Sequence, residues 1–163
     1  MSFHQSLQNK IVTREKALDL LNNFRKEGKR IVFTNGCFDL LHPGHVDYLS
    51  QARDKGDLLV LGLNTDDSVR RLQKSPERPI NNEKARALVL AGLAPVDLIV
   101  LFNEDTPEAL IRFLKPDVLV KGDDYTVDKI AGAEFVLEQG GEVLTIPLLQ
   151  GYSTSKIVSR IKS

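Results

Sequence analysis

Two hydrophobic periods alternate along this chain. Residues 13–27 place Ala17, Leu20, Leu21 and Phe24 at helical spacing, with Thr13 as N-cap and Gly28 as the stop. Residues 31–34 (I-V-F-T) are apolar enough for a short strand buried on both faces. A loop over 35–43 leads to a helix over 44–55, which carries Val46, Leu49 and Ala52 inward and ends at Gly56. Residues 58–63 form an unbroken apolar strand, and Asn64 to Asp67 supply caps for a helix over 66–73. The segment 74–81 (K-S-P-E-R-P-I-N) holds two prolines and two bases and reads as an exposed loop. Asn82 caps a helix through 93, a third strand spans 96–102, and Thr106-Pro107 opens a helix to 114. Strands over 118–120 and 142–146, a short helix over 133–139 and a last helix over 156–161 complete the pattern.

Apolar strands separated by amphipathic helices predict an α/β fold: one doubly wound, parallel, five-stranded sheet with helices on both faces, Rossmann-like in architecture. The reading is a single domain over residues 1–163. Residues 1–12 show no period and read as a loose N-terminal arm, 13–28 as a leading helix and 31–161 as the core. In such folds ligands bind outside the carboxyl ends of the strands, where strand order reverses. That rule brings N-G-C-F-D, N-T-D-D, K-G-D-D-Y and G-Y-S-T-S to one rim.

Composition narrows the classes. The chain has 163 residues, 42% hydrophobic and 27% charged, with zero formal net charge. There is no bulk electrostatic case for nucleic acid or an anionic membrane surface. No apolar run reaches the roughly 20 residues of a membrane span, and the N-terminus lacks the apolar core of a signal peptide. A single cysteine, Cys37, excludes an intrachain disulfide and a Cys-cluster metal site. These features read as a cytoplasmic protein.

Two of the three histidines, His42 and His45, flank Pro43-Gly44 directly after the first strand and its glycine turn. A helix opening at Gly44 puts both near its N-terminus, where free N–H groups and a partial positive charge favour an anion. Gly36, with the backbone of Cys37 and Phe38, adds close-approach donors. Two imidazoles there suit phosphate oxygens and charge developing on phosphorus. The competing readings are a metal pair, for which no third ligand is near, and two solvated loop histidines. Asp39 is placed to orient a histidine, lie near a metal, contact a sugar phosphate or cap the loop. Lys74 and Arg78 belong to a basic loop at the rim, with Arg86 on the helix behind it. Asp66 and Asp97 are candidates for sugar hydroxyls, although Asp66 equally suits a helix cap, and Asp123 or Asp124 is a candidate for ribose or sugar hydroxyls.

H-P-G-H after N-G-C-F-D resembles the H-x-G-H signature of the nucleotidylyltransferase superfamily. G-Y-S-T-S-K resembles its second signature, and K-G-D-D-Y resembles the lysine loop of the cytidylyltransferase-like branch. With T-N-G-C-F-D-L-L-H-P-G-H, E-R-P-I-N, N-E-D-T-P, P-D-V-L-V-K-G-D-D-Y and I-A-G-A-E, the chain is most similar to the adenylyltransferase part of bacterial ADP-heptose synthases. Its G-Y-S-T-S departs from the family's S-T-T form but keeps the hydroxyls.

That resemblance implies adenylyl transfer from ATP to D-glycero-β-D-manno-heptose 1-phosphate, giving ADP-heptose and pyrophosphate. It implies catalytic His42, His45 and Lys121. The nucleotide would be bound by Gly36, Cys37, Phe38, His42, His45, Arg86, Lys121, Gly122, Asp123, Tyr152, Ser153, Thr154 and Ser155. The sugar phosphate would meet Asp39, Lys74 and Asp66. Mg²⁺ would be held through phosphates and water, with no protein metal ligand. It further implies a homodimer. About thirty residues precede the first strand, so a separate sugar kinase would supply the acceptor. Adenine over cytosine comes from the resemblance alone. The alternatives are a cytidylyltransferase acting on glycerol 3-phosphate or a similar alcohol phosphate, and a nucleotide-binding module without turnover.

Overall fold

The computed structural model describes residues 1–163. Its helices are α1 (Phe3–Gln8), α2 (Arg14–Lys26), α3 (Pro43–Arg53), α4 (Asp66–Arg71), α5 (Glu83–Ala91), α6 (Glu108–Leu114), α7 (Ala133–Glu138) and α8 (Thr154–Lys162). Its strands are β1 (Ile11–Val12), β2 (Ile31–Gly36), β3 (Leu58–Asn64), β4 (Leu98–Phe102), β5 (Val118–Gly122) and β6 (Glu142–Ile146), with a 3₁₀ turn at Val127–Lys129. The strands form one sheet in the order β1-β4-β3-β2-β5-β6, and every pairing is parallel. The doubly wound α/β architecture is therefore as the hydrophobic pattern predicts.

The sheet has six strands rather than five, because the segment read as a loose arm contributes α1 and β1. Ile11 and Val12 pair with Ile99 and Val100 at the sheet edge. Ser2 and Gln5 form a reciprocal capping box on α1, and the Lys10 ammonium donates to Val96 O at 2.8 Å. A two-residue strand is too short to show a period, so its pairing comes only from the neighbouring edge of β4.

Strand parity divides the core. Val32, Leu59, Leu61, Leu63, Ile99, Val118 and Val120 face one layer, with Tyr48, Leu49 and Ala52 of α3 and Ala87, Leu90 and Ala91 of α5. Ile31, Phe33, Val60, Leu98, Val100, Phe102 and Leu119 face the other, with residues of α2, α6 and α7. Successive residues of a strand point to opposite faces, so a fully buried parallel strand must be apolar at every position. β3 (L-L-V-L-G-L-N) meets that demand up to its last residue, the buried Asn64, with only Leu58 partly exposed.

The chain leaves β2 towards β3 and returns from β4 to β5 on the other side of β2. The loops after β2 and β5 consequently diverge and open a crevice at the carboxyl edge. The register ends β2 at Gly36 opposite Leu63 and β5 at Gly122 opposite Ile146, which fixes the floor of that crevice.

Candidate active site

β2 is pinned at the crevice by a buried hydroxyl pair. Thr34 Oγ1 and Tyr48 Oη lie 2.7 Å apart and 3.0 and 3.1 Å from Val120 O, so one hydroxyl donates to the other and the second donates to the carbonyl. This ties β2, α3 and β5 together directly beneath Asn35, Gly36 and Lys121. Burial pushes the Tyr48 phenol pKa up, so it remains a neutral donor.

Beyond β2 the backbone turns sharply. Phe38 sits at φ 47°, in the left-handed region, and its ring folds back over Gly36, where a Cβ would stand 2.7 Å from the ring. The side chain of Asp39 is fully buried there and accepts from Ile80 N at 2.8 Å and Asn81 N at 2.9 Å. Arg86 is also buried. Its guanidinium donates to Cys37 O at 2.7 Å, Asn81 O at 3.0 Å and Asp66 Oδ1 at 2.8 Å. These bonds staple the basic loop and α5 to the underside of the turn after β2.

His42 occupies the N-cap position of α3 and Pro43 its first turn, so the α3 N-terminus has no side-chain cap. The two imidazoles stack with centroids 3.8 Å apart and planes 23° apart. Both Nδ1 atoms are buried and have no partner in the protein. Burial lowers the His42 pKa, and burial together with His42 lowers that of His45 to about 4. Both rings are therefore neutral near pH 7, with unpaired polar atoms at the positive end of a helix.

Lys121 stands across the crevice. Its ammonium is held by Asn35 O at 3.4 Å and Asn35 Oδ1 at 3.3 Å, and lies 4.9 Å from the Tyr125 ring centroid. Burial lowers its pKa to about 8, partly offset by Asp124. On the third side, Ser153 caps α8 by accepting from Lys156 N at 3.1 Å, and Thr154 Oγ1 donates to Leu40 O at 3.1 Å. The second bond docks the α8 N-terminus beside the histidine loop, and the Tyr152 ring stacks towards His42 at 6.4 Å.

Between these groups lies a cavity of about 310 Å³. It gathers Gly36, Cys37, Phe38, His42, His45, Lys74, Lys121, Gly122, Tyr152, Ser153 and Thr154 on its walls, together with Arg78 and Asp124. Asn35, Tyr48, Tyr125, Leu148 and Leu149 line it too. Sequence reasoning does not single out these five. Asn35 and Tyr125 lie in the N-G-C-F-D and K-G-D-D-Y motifs without a role of their own, Tyr48 is not among the residues read as inward on its helix, and Leu148 and Leu149 carry no polar chemistry. Burial raises the Cys37 thiol pKa, so the cavity has no thiolate.

Several expectations do not survive the geometry. Arg86 is spent on backbone carbonyls and Asp66, so neither reaches the cavity: the helix behind the loop packs too closely for its arginine to extend forward. Asp39 gives both oxygens to the 80–81 backbone and cannot meet a sugar phosphate. Asp97 precedes β4 at the opposite rim, where it pairs with Arg53 at 2.9 Å and accepts from Leu59 N. Asp123 turns away to cap Leu148 N, leaving Asp124 on the wall. Ser155 faces the Arg78 guanidinium at 3.4 Å, outside the cavity. No group of three His, Cys, Asp or Glu side chains is placed to hold a metal ion, and no helix is long and apolar enough to cross a membrane.

The profile of the cytidylyltransferase-like family matches residues 33–160. The bifunctional protein HldE of Rhodospirillum rubrum is 56% identical over 153 residues, which are 94% of this chain and 31% of that protein. The HldE of Caulobacter vibrioides is 53% identical over 154 residues, 94% of this chain and 32% of that protein. The chain thus spans about a third of the length of these curated relatives. Among solved structures, a lipopolysaccharide core biosynthesis protein of Thermoplasma volcanium superposes with a TM-score of 0.61 at 29% identity, covering 77% of this chain and all of that one. Pantothenate synthetase of Thermus thermophilus shares the fold, with a TM-score of 0.60 at 16% identity over 94% of this chain and 70% of its own.

Proposed function

The chain belongs to the cytidylyltransferase-like family and is a nucleotidyltransferase, and from that premise we propose that it transfers the adenylyl group of ATP to a sugar 1-phosphate, D-glycero-β-D-manno-heptose 1-phosphate, releasing ADP-heptose and pyrophosphate. One observation carries the reading: two neutral, stacked imidazoles at an uncapped helix N-terminus line one cavity with Lys121 and the Ser153-Thr154 turn. The choice of heptose is supported by the resemblance to ADP-heptose synthases, the identity to HldE proteins and the lipopolysaccharide core biosynthesis neighbour. On this reading the protein serves heptose supply for lipopolysaccharide-type glycans in the cytoplasm, downstream of a sugar kinase.

The chemistry needs no protein nucleophile. A phosphate oxygen of the sugar phosphate attacks the α-phosphorus in line, opposite the bridging oxygen to the β-phosphorus. The new P–O bond forms as the α–β bridge breaks, and its electron pair leaves with pyrophosphate. An acceptor already anionic at neutral pH requires no general base. Catalysis is positioning and charge stabilisation. His42 and His45 hydrogen-bond the triphosphate, and the free N–H groups of α3 and α8 face its oxygens. Lys121 lies where the attacking and α-phosphate oxygens meet, and its proton offsets their repulsion. The aromatic and apolar wall of Phe38, Tyr125, Leu148 and Leu149 suits a nucleoside.

The donor set fits a Mg²⁺ ion carried by the phosphates and water rather than by a carboxylate cage. When bound, that ion neutralises phosphate charge. The test is pyrophosphate release from the four pairings of ATP or CTP with heptose 1-phosphate or glycerol 3-phosphate. Release with ATP and the heptose supports the reading, and release only with CTP and glycerol 3-phosphate overturns it.

A further inference from the structure

A second cavity, of about 250 Å³, lies against the first and shares Asn35, Gly36, Cys37, Lys74, Lys121 and Tyr125 with it. We propose that this chamber is the acceptor site, with Lys74, Lys121 and Lys129 neutralising the phosphate of a polyol phosphate and Asn64 and Thr106 reading its hydroxyls. The assignment rests on the nucleotidyl-transfer reading.

Strand parity separates the two chambers. The histidines ride on α3, which packs against the layer that receives Val32, Leu61 and Val120. Asn35, Asn64 and Lys121 have the opposite parity and fall with Phe33, Val60 and Leu119, on the side of α6 and α7. The second chamber is closed on that side by the loop after β4, from Asp105 to Pro107, and by the segment Lys129 to Ala131. In-line displacement requires the nucleophile to enter opposite the leaving group. With pyrophosphate leaving over His42, His45 and the α8 N-terminus, the acceptor must approach from across Lys121, which is where the second chamber lies.

The polar groups of this chamber suit a dianionic polyol. The ammonium groups of Lys74 and Lys129 have no hydrogen bond or ion pair within the protein, whereas Lys121 is already held by Asn35. The single acid on the wall, Asp105, is paired with Arg71 at 2.7 Å. The uncompensated charge is therefore positive and matches a phosphate monoester. Asn64 is buried and donates from Nδ2 to Ser68 Oγ at 3.0 Å, which leaves its Oδ1 free of protein donors. A sugar hydroxyl can donate to that oxygen, and Thr106 on the next loop offers a second contact. A site built to pair hydroxyls rejects analogues that lack them, because its own polar groups are then left unpaired.

The test measures acceptor and nucleotide separately, on the full chain. Calorimetry records heptose 1-phosphate binding, with and without α,β-methylene-ATP, for the wild type and for Lys129→Ala, Asn64→Ala, Thr106→Val and Lys129→Arg. Steady-state assays follow KM for each substrate. Lys129→Ala and Asn64→Ala should each weaken acceptor binding and raise acceptor KM at least tenfold. ATP affinity should stay within twofold, and Lys129→Arg should recover most of the loss. Lys129 is exposed on a 3₁₀ turn, so its replacement keeps the test valid even if Asn64→Ala fails to fold. Unchanged acceptor binding, or an equal loss of ATP binding, overturns the assignment. So does an acceptor that fails to bind the wild type under both conditions. Lys129-dependent acceptor binding without pyrophosphate release from any pairing upholds the chamber and defeats the proposed reaction instead.

Discussion

In the free protein His45 has its Nδ1 buried and unpaired beside a second imidazole, and its pKa lies at about 4. Burial and the neighbouring imidazole hold it there, and a bound triphosphate opposes both by bringing negative charge against the ring. One unit charge at about 4 Å, at the effective dielectric constant of about 20 that describes partly buried sites, is worth about 4 kcal/mol. At 1.36 kcal/mol per unit, that raises a pKa by about 3, from about 4 to roughly 7. At pH 6 the ring is then neutral in the free protein and mostly protonated in the complex. His42, stacked at 3.8 Å, resists a second proton, so the pair gains about one. Binding should therefore tighten as pH falls from about 7 towards about 5. Imidazole NMR shifts followed from pH 4 to 8, with and without α,β-methylene-ATP, measure this directly. His4, exposed on α1, is a control remote from the ligand. A His42–His45 pair that already titrates near 6.5 without nucleotide, or that fails to move upward with it, refutes the reasoning.

Lys121→Met should lower kcat by about 10² to 10³ if the ammonium offsets charge in the transition state, measured by pyrophosphate release. With its pKa lowered to about 8, the free enzyme should lose kcat/KM as pH rises above about 8, and Lys121→Arg should move that limb upward. Arg86→Met leaves Asp66, Cys37 O and Asn81 O without their donor and should cost about 3 to 5 kcal/mol in urea unfolding; a fully stable variant that has lost only ATP affinity would return Arg86 to the cavity. The folded pKa of His45 lies below the unfolded value near 6.5, so its contribution is complete above pH 6.5 and lost as pH falls towards 4. The loss is no more than about 3 kcal/mol, and comparing urea midpoints of wild type and His45→Gln at pH 7 and pH 4.5 isolates it.

The histidines and the Ser153-Thr154 pair, which the structure brings to one cavity, share one property: their position follows from local chain geometry. His42 and His45 are bound to the start of α3 by Pro43-Gly44, and Ser153-Thr154 to the start of α8, so finding a helix start finds the group. Arg86, Asp39 and Asp66 lie off the cavity, because a charge near the rim reads the same in sequence whether it faces ligand or backbone. Here two loops and a helix close on one another, and burying their backbone groups demands ionic partners. The acceptor-side wall is harder to read still. Asn64 ends β3, Thr106 precedes α6 and Lys129 ends a 3₁₀ turn; the first two sit inside N-T-D-D and N-E-D-T-P, phrases that give those two residues no role of their own.

The chain alone determined the parallel α/β layers and the three motifs that meet at the cavity, because each depends on a period or a spacing within one segment. Tertiary structure decided the sixth strand, which exists only by pairing with β4, and the direction of every charged side chain around the turn after β2. It also decided the neutral state of the histidine pair. Burial, stacking and unsatisfied nitrogens are properties of what surrounds a residue, and those surroundings come from segments tens to a hundred residues away.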